Sequence, residues 1–458
     1  MSRVSLSGLT DTIVAQATAG ARSALAVIRI SGPDAHKIGA TVLQPWRATP
    51  NRAYLAVLCD PDSGREIDQG IITVFTAPAS FTGEDMLELS LHGGEIGPSL
   101  ALNAVLSCGA RLALPGEFTR RALMHGKLDL LQAEGIADLV DSRSRAMHDV
   151  ALGQVAGHLS KRLNALREQI IELEALLAYD VDFPEEDNGP ITLDRIERAA
   201  RDIAATIDAL LETTATSEMI RSGAVVVIAG APNTGKSSLF NALAGTERAI
   251  VTDIPGTTRD ALEAMMDMGP WPVRLIDTAG LRSSSDIVER LGIEVAEQYL
   301  KSAQIVLVCS DDASSLSIAL ERVRALASGS ILAVGTKCDL GGLPVTLDDG
   351  LAYVRVSART GEGLGELVQR ITELLNREHE PTTADNPLLT RERHRVALTK
   401  ARAEISAFLE QCVSRFDLPA TVAAVHLHSA RGHLEELVGA VDVEDVLDRV
   451  FSAFCIGK

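Results

Sequence analysis

The run "GAPNTGKS" at residues 230–237 restricts the fold of this chain more than any other stretch. It fits G-x-x-x-x-G-K-[ST] and sits between the strand-like "AVVVIAG" (224–230) and the helix-like "SLFNALAG" (238–245). Such a loop needs a strand that stops beneath a helix N-terminus, because its backbone N–H groups have to converge on phosphate oxygens. Beyond it the apolar runs "VRLIDTAG" (273–280), "AQIVLVCS" (303–310), "ILAVGTKCD" (331–339) and "AYVRVSA" (352–358) alternate with helical segments. Strands alternating with helices predict a doubly wound α/β domain with a mostly parallel sheet.

Further motif pieces follow in the order a guanine-nucleotide site uses. In the first run Gly230 and Gly235 let the backbone turn toward phosphate, and Lys236 is spaced to bridge the β- and γ-phosphates. The Ser237 hydroxyl can ligate Mg2+, and Asn233, Thr234 and Ser238 complete the loop. "GTTRD" (256–260) offers Thr258 as a switch hydroxyl for Mg2+ and the γ-phosphate. "DTAG" (277–280) offers Asp277 to the metal's water shell and the Gly280 N–H to the γ-phosphate, with Thr278 and Ala279 between them. In "TKCD" (336–339), next to Thr336 and Lys337, Asp339 can accept two hydrogen bonds from guanine that adenine cannot offer. Ser357, Ala358 and Arg359 in "SAR" can back the base with a main-chain N–H. Two positions depart from the commonest pattern. Thr336 stands where most such sites have Asn, and Leu281 stands where Ras-like proteins have a water-orienting Gln. With no arginine finger evident either, hydrolysis needs another water-positioning group and another positive charge.

Elsewhere the style of the sequence changes. In residues 1–117, "TIVAQA" (12–17), "SALAVIRIS" (23–31), "GIITVFTA" (70–77) and "DMLELSLHGG" (85–94) read as strands and 97–110 as a helix, which predicts a compact α+β domain. From residue 118 apolar residues recur three and four apart through 179. "VDFPEEDNG" (181–189) breaks that pattern, a second helix follows at about 192–214, and helical sequence returns after 387. The expected boundaries are therefore 1–117, 118–220, 221–380 and 381–458. The pattern fits an α/β block inserted into a discontinuous helical domain, and also two separate helical domains; 458 residues suggest about three domains.

The net charge of −19 argues against a broad nucleic-acid-binding surface. The basic stretches "TRRALMHGK" (119–127) and "TRERHRVALTKAR" (390–402) read as solvated helix faces. Cys59, Cys108, Cys309, Cys338, Cys412 and Cys455 form no C-x-x-C pair, which suits reduced thiols in a cytoplasm. The N-terminus lacks the apolar core of a signal peptide, and no apolar run is long enough to span a bilayer.

Over nearly its whole length the chain resembles the bacterial tRNA-modification GTPase MnmE (TrmE) family. The resemblance rests on "DTIVAQAT" (11–18), "VIRISG" (27–32), "FTGEDMLELSLHGG" (81–94), "PGEFTRRA" (115–122), "KLDLLQAEGIADLVDS" (127–142), "VDFPEE" (181–186), the nucleotide motifs, "VERLGIE" (288–294) and the terminal "FCIGK" (454–458). It implies an N-terminal folate-binding and dimerisation domain, a discontinuous all-α domain and an inserted Ras-like P-loop domain. It implies a cytoplasmic, K+-stimulated GTPase that works as a homodimer with a flavoprotein partner of the MnmG type. Together these add a folate-derived aminomethyl or carboxymethylaminomethyl group to C5 of the wobble uridine of certain tRNAs.

The resemblance also fills both gaps in the nucleotide site. K+ ligands fall on Asn233, Thr252, the Ile254 carbonyl and Thr257, in a loop that includes Asp253, Pro255 and Gly256. The water-positioning catalytic residue matches Glu289, which acts with Lys236. A tetrahydrofolate derivative, in the 5,10-methylene or 5-formyl form, matches Arg29, Glu88, Lys127 and the C-terminal Lys458. For Arg29, inside an apolar strand, a structural ion pair is the alternative. The chain departs from the family at "AGARSA" (19–24), where a Pro-Gly-Arg-Gly-Gly-like turn is usual. Cys455 is a candidate participant in the chemistry, or simply a small buried residue.

Overall fold

The computed structural model describes residues 10–182, 193–245, 249–250, 262–277, 297–341, 353–378, 387–414, 420–439, 454 and 457. The chain divides into two compact units, residues 1–137 with 434–458 and residues 138–433.

In the first unit β1 (Ile13–Gln16), β2 (Leu25–Ser31), β3 (Leu43–Gln44), β4 (Ala53–Cys59), β5 (Glu66–Phe75), β6 (Met86–His92) and β7 (Arg111–Leu112) form a seven-stranded sheet in the order β3-β4-β5-β6-β2-β1-β7. All pairings are antiparallel except β1 with β7. Alternate residues Ile28 and Ile30, Ile72 and Val74, and Leu87 and Leu89 pack with α1 (Ala35–Val42) and α2 (Ile96–Ser107). Because side chains alternate across a strand, Arg29 and Glu88, partners in register, are left on the other face. The strand β4, "AYLAVLC", was not anticipated from the sequence.

The "TRRALMHGK" stretch is not the solvated face that its charge suggests. It forms most of α3 (Glu117–Met124), where Thr119 and Arg121 are fully buried. Arg121 Nη2 donates to Asp11 Oδ1 at 2.8 Å and to Glu117 Oε1 at 2.9 Å, while Nη1 donates to the Asp11 carbonyl at 2.6 Å and to Glu84 at 3.1 Å. Arg111 reaches the same two acids, Asp11 Oδ2 at 2.6 Å and Glu117 Oε1 at 2.6 Å. A buried cation survives only when paired and hydrogen-bonded, and here the two arginines together tie β1, β7, α3 and the 81–85 loop. Burial pushes the Glu117 carboxyl up, but hydrogen bonds from Arg111, the Leu114 N–H and Arg121 outweigh it and hold its pKa below the ordinary range. The same balance lowers Asp11.

The second unit begins within α4 (Leu130–Asp141) and continues through α5 (Arg145–Val155), α6 (His158–Asp182) and α7 (Leu193–Ser222). The Ser144 side chain caps α5 by accepting from the Met147 N–H, and Gly157 at φ +78° separates α5 from α6. There follow β8 (Ala224–Gly230), α8 (Lys236–Ala244), β9 (Ala249–Ile250), β10 (Leu262–Met268), β11 (Trp271–Asp277), β12 (Ile305–Ser310), α9 (Ala313–Arg324), β13 (Ser330–Gly335), β14 (Tyr353–Arg355) and α10 (Leu364–Glu378). The sheet order is β14-β13-β12-β8-β11-β10-β9, with parallel pairing from β14 to β11 and antiparallel pairing through β10 to β9. Its central strands are buried almost throughout, as expected of a sheet covered on both faces.

Helices α11 (Glu392–Ser414) and α12 (Ala420–Val438) complete the helical sequence. The basic stretch 390–402 is again more than a solvated face. His394, Leu398 and Ala401 are fully buried, Arg391 pairs with Asp138 at 2.6 Å, and Arg402 pairs with Asp208 at 2.8 Å. No helix among the described residues is long and apolar enough to cross a membrane.

Replacing Arg121 by Met takes the buried cation from Glu84 and Glu117, leaving Arg111 alone with Asp11 and Glu117, and should lower stability by about 3–5 kcal/mol. The denaturant midpoint of the full-length chain then falls clearly below wild type; an unchanged midpoint would remove the network from the account. Because Glu117 has a depressed folded pKa, its contribution is complete above its ordinary value of 4.5 and is lost as pH falls through the folded value. Glu117→Gln should accordingly flatten the acid limb of the stability curve.

Candidate functional site

At the C-terminal end of β8 the chain turns into α8 through the 230–237 loop. Gly230, at φ +144°, passes so close to β12 that a Cβ there would lie 2.3 Å from the Cys309 carbonyl oxygen. Gly235 is left-handed at φ +85° and starts α8, so the first N–H groups of that helix point out of the loop. Those orphan donors and the positive end of the helix dipole make an anion site. Lys236 is 6% exposed and its Nζ donates to the Ala231 carbonyl at 2.6 Å. Burial pushes the Cys309 thiol behind the loop up to about 12, with Lys236 opposing the shift, so it stays neutral.

The parallel register of β8 with β11 sets Ile228 beside Asp277. Asp277 is completely buried, and its Oδ2 accepts from the Ser237 hydroxyl at 2.7 Å. A hydroxyl and a carboxylate in contact, under a helix N-terminus, match the donor set that Mg2+ takes beside a nucleoside triphosphate.

The base-side loop is clamped to the phosphate loop. Thr336 is buried and its Oγ1 donates to the Thr234 carbonyl at 2.6 Å. Lys337 Nζ donates to the Asn233 carbonyl at 2.9 Å and to Asp311 Oδ2 at 2.6 Å. Asn233 and Lys337 both have positive φ, 64° and 58°, and Asn51 is the only other non-glycine among the described residues that does. Strain concentrated at two touching loops fits a place where backbone position matters more than comfort. Where most such sites have Asn, Thr336 thus ties the base-side loop to the phosphate loop through its hydroxyl.

Between these loops lies a cavity of about 190 Å3 lined by Gly235, Ser238, Leu239, Thr336, Lys337, Asp339, Val356, Ser357, Ala358 and Arg359. Asp339 is exposed at its mouth rather than buried, so its selectivity for a base comes into force only once a ligand covers it. The Ser357 N–H is spent on the Glu362 carbonyl at 2.9 Å, which leaves Ala358 and Arg359 as the members of that run to meet a base. Sequence reasoning missed Asp311 and Ala231, whose roles come from contacts across loops and carry no spacing of their own. Thr252, Asp253, Ile254, Pro255, Gly256, Thr257, Thr258, Thr278, Ala279, Gly280, Leu281 and Glu289 lie outside the described residues, as do Cys455 and Lys458.

In the first unit Arg29 and Glu88 meet. Arg29 Nε and Nη2 donate to Glu88 Oε1 at 3.0 and 2.8 Å, and Nη1 donates to the Gly457 carbonyl at 3.5 Å. The guanidinium carbon lies 5.5 Å from the Phe81 ring centre and 5.6 Å from that of Phe118. The pairing that the sequence left as an alternative for Arg29 is thus present. Lys127 is engaged elsewhere, its Nζ donating to the Pro78 carbonyl at 2.9 Å. Phe81 and Phe118 belong to the "FTGED" and "PGEFTRR" runs, but nothing in their spacing announced a shared cation.

Known proteins fit this arrangement. A family model described as the MnmE helical domain matches residues 130–455, and one described as GTP-binding protein TrmE N-terminus matches residues 12–127. The chain belongs to the MnmE family. The tRNA modification GTPase MnmE of Aquifex aeolicus (strain VF5) is 39% identical over 454 residues, covering 98% of this chain and 100% of the relative. That of Azoarcus sp. (strain BH72) is 40% identical over 453 residues, covering 98% of each. The inserted Ras-like domain of this MnmE family member holds the sheet from β8 to β14, and the part matching the TrmE N-terminus holds the sheet from β1 to β7.

Thr336→Val keeps the shape of the side chain but strands the Thr234 carbonyl, and should weaken guanine-nucleotide binding about ten-fold. Thr336→Asn restores a donor and should bind at least as well as wild type. Titration with a fluorescent GDP analogue reads both, and equal affinity for Thr336→Val and wild type would refute the tether.

Proposed function

We propose that this chain hydrolyses GTP in a K+-stimulated reaction and uses it in tRNA modification. With a flavoprotein partner of the MnmG type, it adds a folate-derived aminomethyl or carboxymethylaminomethyl group to C5 of the wobble uridine. The observation that carries the nucleotide half is the pair of contacts made by the phosphate loop and the start of α8: Ser237 on Asp277, and Thr336 with Lys337 on the Thr234 and Asn233 carbonyls. The tRNA half is supported by family membership, since the relatives are named tRNA modification GTPases. A homodimer formed through the N-terminal domain and a cytoplasmic location complete the reading.

In this reading Asp339 selects guanine, and Ala358 backs the base from the other side. The N–H groups at the start of α8 hold the β- and γ-phosphate oxygens. Lys236 leaves the Ala231 carbonyl for the phosphates, a short swing for a four-carbon stem. Ser237 and Asp277 would hold Mg2+, one directly and one through its water shell, with Thr258 as the switch-loop ligand. When bound, Mg2+ neutralises charge developing on the phosphate oxygens. Asn233, already bent into a left-handed turn at φ 64°, would join Thr252, the Ile254 carbonyl and Thr257 in holding K+, which supplies the positive charge of an arginine finger. Glu289 orients the attacking water in place of the missing Gln. In the N-terminal unit Glu88 suits the amidine-like edge of a pteridine, and Arg29, Lys127 and Lys458 suit the anionic tail.

Hydrolysis should run faster in K+ than in Na+ at equal ionic strength. Glu289→Ala should bind nucleotide almost normally yet hydrolyse it about two orders of magnitude more slowly in K+. Single-turnover assays in the two salts check both. Identical rates in K+ and Na+ would sink the cation assignment, and a normal rate for the variant would return Glu289 to an ordinary surface residue.

A further inference from the structure

We propose that Gly457 is a positioning residue for Arg29. Its missing side chain lets its own backbone lie against the end of β1, where its carbonyl and Glu88 together fix the Arg29 guanidinium. The functional meaning of this contact rests on the reading above, in which the Arg29–Glu88 pair takes a reduced folate.

The geometry around Arg29 is incomplete without the tail. Both bonds from Arg29 to Glu88 end on a single oxygen, Oε1, at 3.0 and 2.8 Å. A guanidinium held on one oxygen can still pivot about it, unlike the two-oxygen fork that fixes an Arg–carboxylate plane. Phe81 and Phe118 flank the cation within 5.5 and 5.6 Å, which attracts it without setting its in-plane angle. The Gly457 carbonyl supplies the missing point, meeting Nη1 at 3.5 Å on the guanidinium edge away from Glu88. Glu88 Oε2 accepts no hydrogen bond among the described residues, and the two side chains are 20% and 27% exposed. The fixed pair therefore offers a carboxylate oxygen that no other described residue engages, beside an oriented cation, the chemistry an aminopyrimidine-type heterocycle needs.

Only glycine permits this approach. Gly457 has φ +97°, and a Cβ there would lie 2.6 Å from the Gln16 carbonyl oxygen and 2.9 Å from the Ala17 Cα. Both are backbone atoms at the end of β1 and cannot step aside. Upstream, Phe454 is anchored in a small apolar cluster with Leu130 and Ala133. With the tail held at that point, any side chain at 457 lifts the carbonyl off β1 and out of reach of Arg29.

The test uses full-length Gly457→Ala and needs two readouts. Carboxypeptidase B removes a C-terminal Lys, and intact mass spectrometry follows its release without any folate present. The variant should lose Lys458 about ten-fold faster than wild type; equal rates would overturn the docking of the tail. Calorimetry with 5-formyltetrahydrofolate should show about ten-fold weaker binding for Gly457→Ala. The double variant with Arg29→Ala should bind no more weakly than Arg29→Ala alone, because the glycine acts through that arginine. Additive losses, or wild-type affinity in Gly457→Ala, would overturn the positioning role. If wild type binds no reduced folate while the digestion still separates the two proteins, the folate reading fails and the docking role of Gly457 stands.

Discussion

The parallel register of β8 with its two neighbours is the constraint on which the nucleotide domain depends. Setting Ile228 beside Asp277 brings the end of β11 level with the start of the phosphate loop, so Ser237 can meet Asp277 at 2.7 Å. On the other side, pairing Gly230 with Cys309 brings β12 so close that only glycine fits. A one-residue slip would turn Asp277 to the opposite face and separate the hydroxyl from the carboxylate. The clamp from Thr336 and Lys337 then fixes the height of the loop from the base side. Each of these contacts is modest alone. Together they hold a strained backbone in one position, which is what binding a fixed array of phosphate oxygens demands.

The first unit solves a different problem. It places an arginine and a glutamate on the partly open face of a sheet and must keep them from collapsing into an arbitrary pair. Buried Arg121 joins Asp11, just ahead of β1, to the 81–85 loop and α3, and this fixes the two segments that carry Phe81 and Phe118. Those rings in turn confine Arg29. An ion network centred on a buried pair such as Arg121–Glu117 seldom adds net stability over an apolar core, but it punishes any rearrangement that unpairs a charge. That suits a unit whose task is to hold one geometry.

Much of the nucleotide site was legible in the sequence because phosphate and guanine dictate both residue type and spacing. The strands β8, β11, β12, β13 and β14 stood out as β-branched runs between helices. By contrast β10, "LEAMMDM", has three Met and no β-branched residue, and its pairing with β11 and β9 makes it a strand. The burial of Arg121 and His394 was not legible either. Charged residues at helical spacing look alike in a sequence whether they face water or an ion network, and Asp11, which pairs with Arg121, and Asp138, which pairs with Arg391 three residues before His394, lie far away along the chain. Thr336 shows a converse case. In the sequence it stood out only as a departure from the commoner Asn, yet its hydroxyl makes the buried tether to the Thr234 carbonyl.

The central claim is that GTP hydrolysis at the Ser237–Asp277 site serves modification of the wobble uridine. Nucleoside mass spectrometry of tRNA from a strain lacking this gene, complemented with wild type or with Asp277→Ala, tests that claim most directly. The account predicts that wild type restores the C5-modified wobble uridine and that Asp277→Ala, expressed at the same level, does not. Full restoration by Asp277→Ala, or unaltered wobble uridine in the deletion strain, would contradict it.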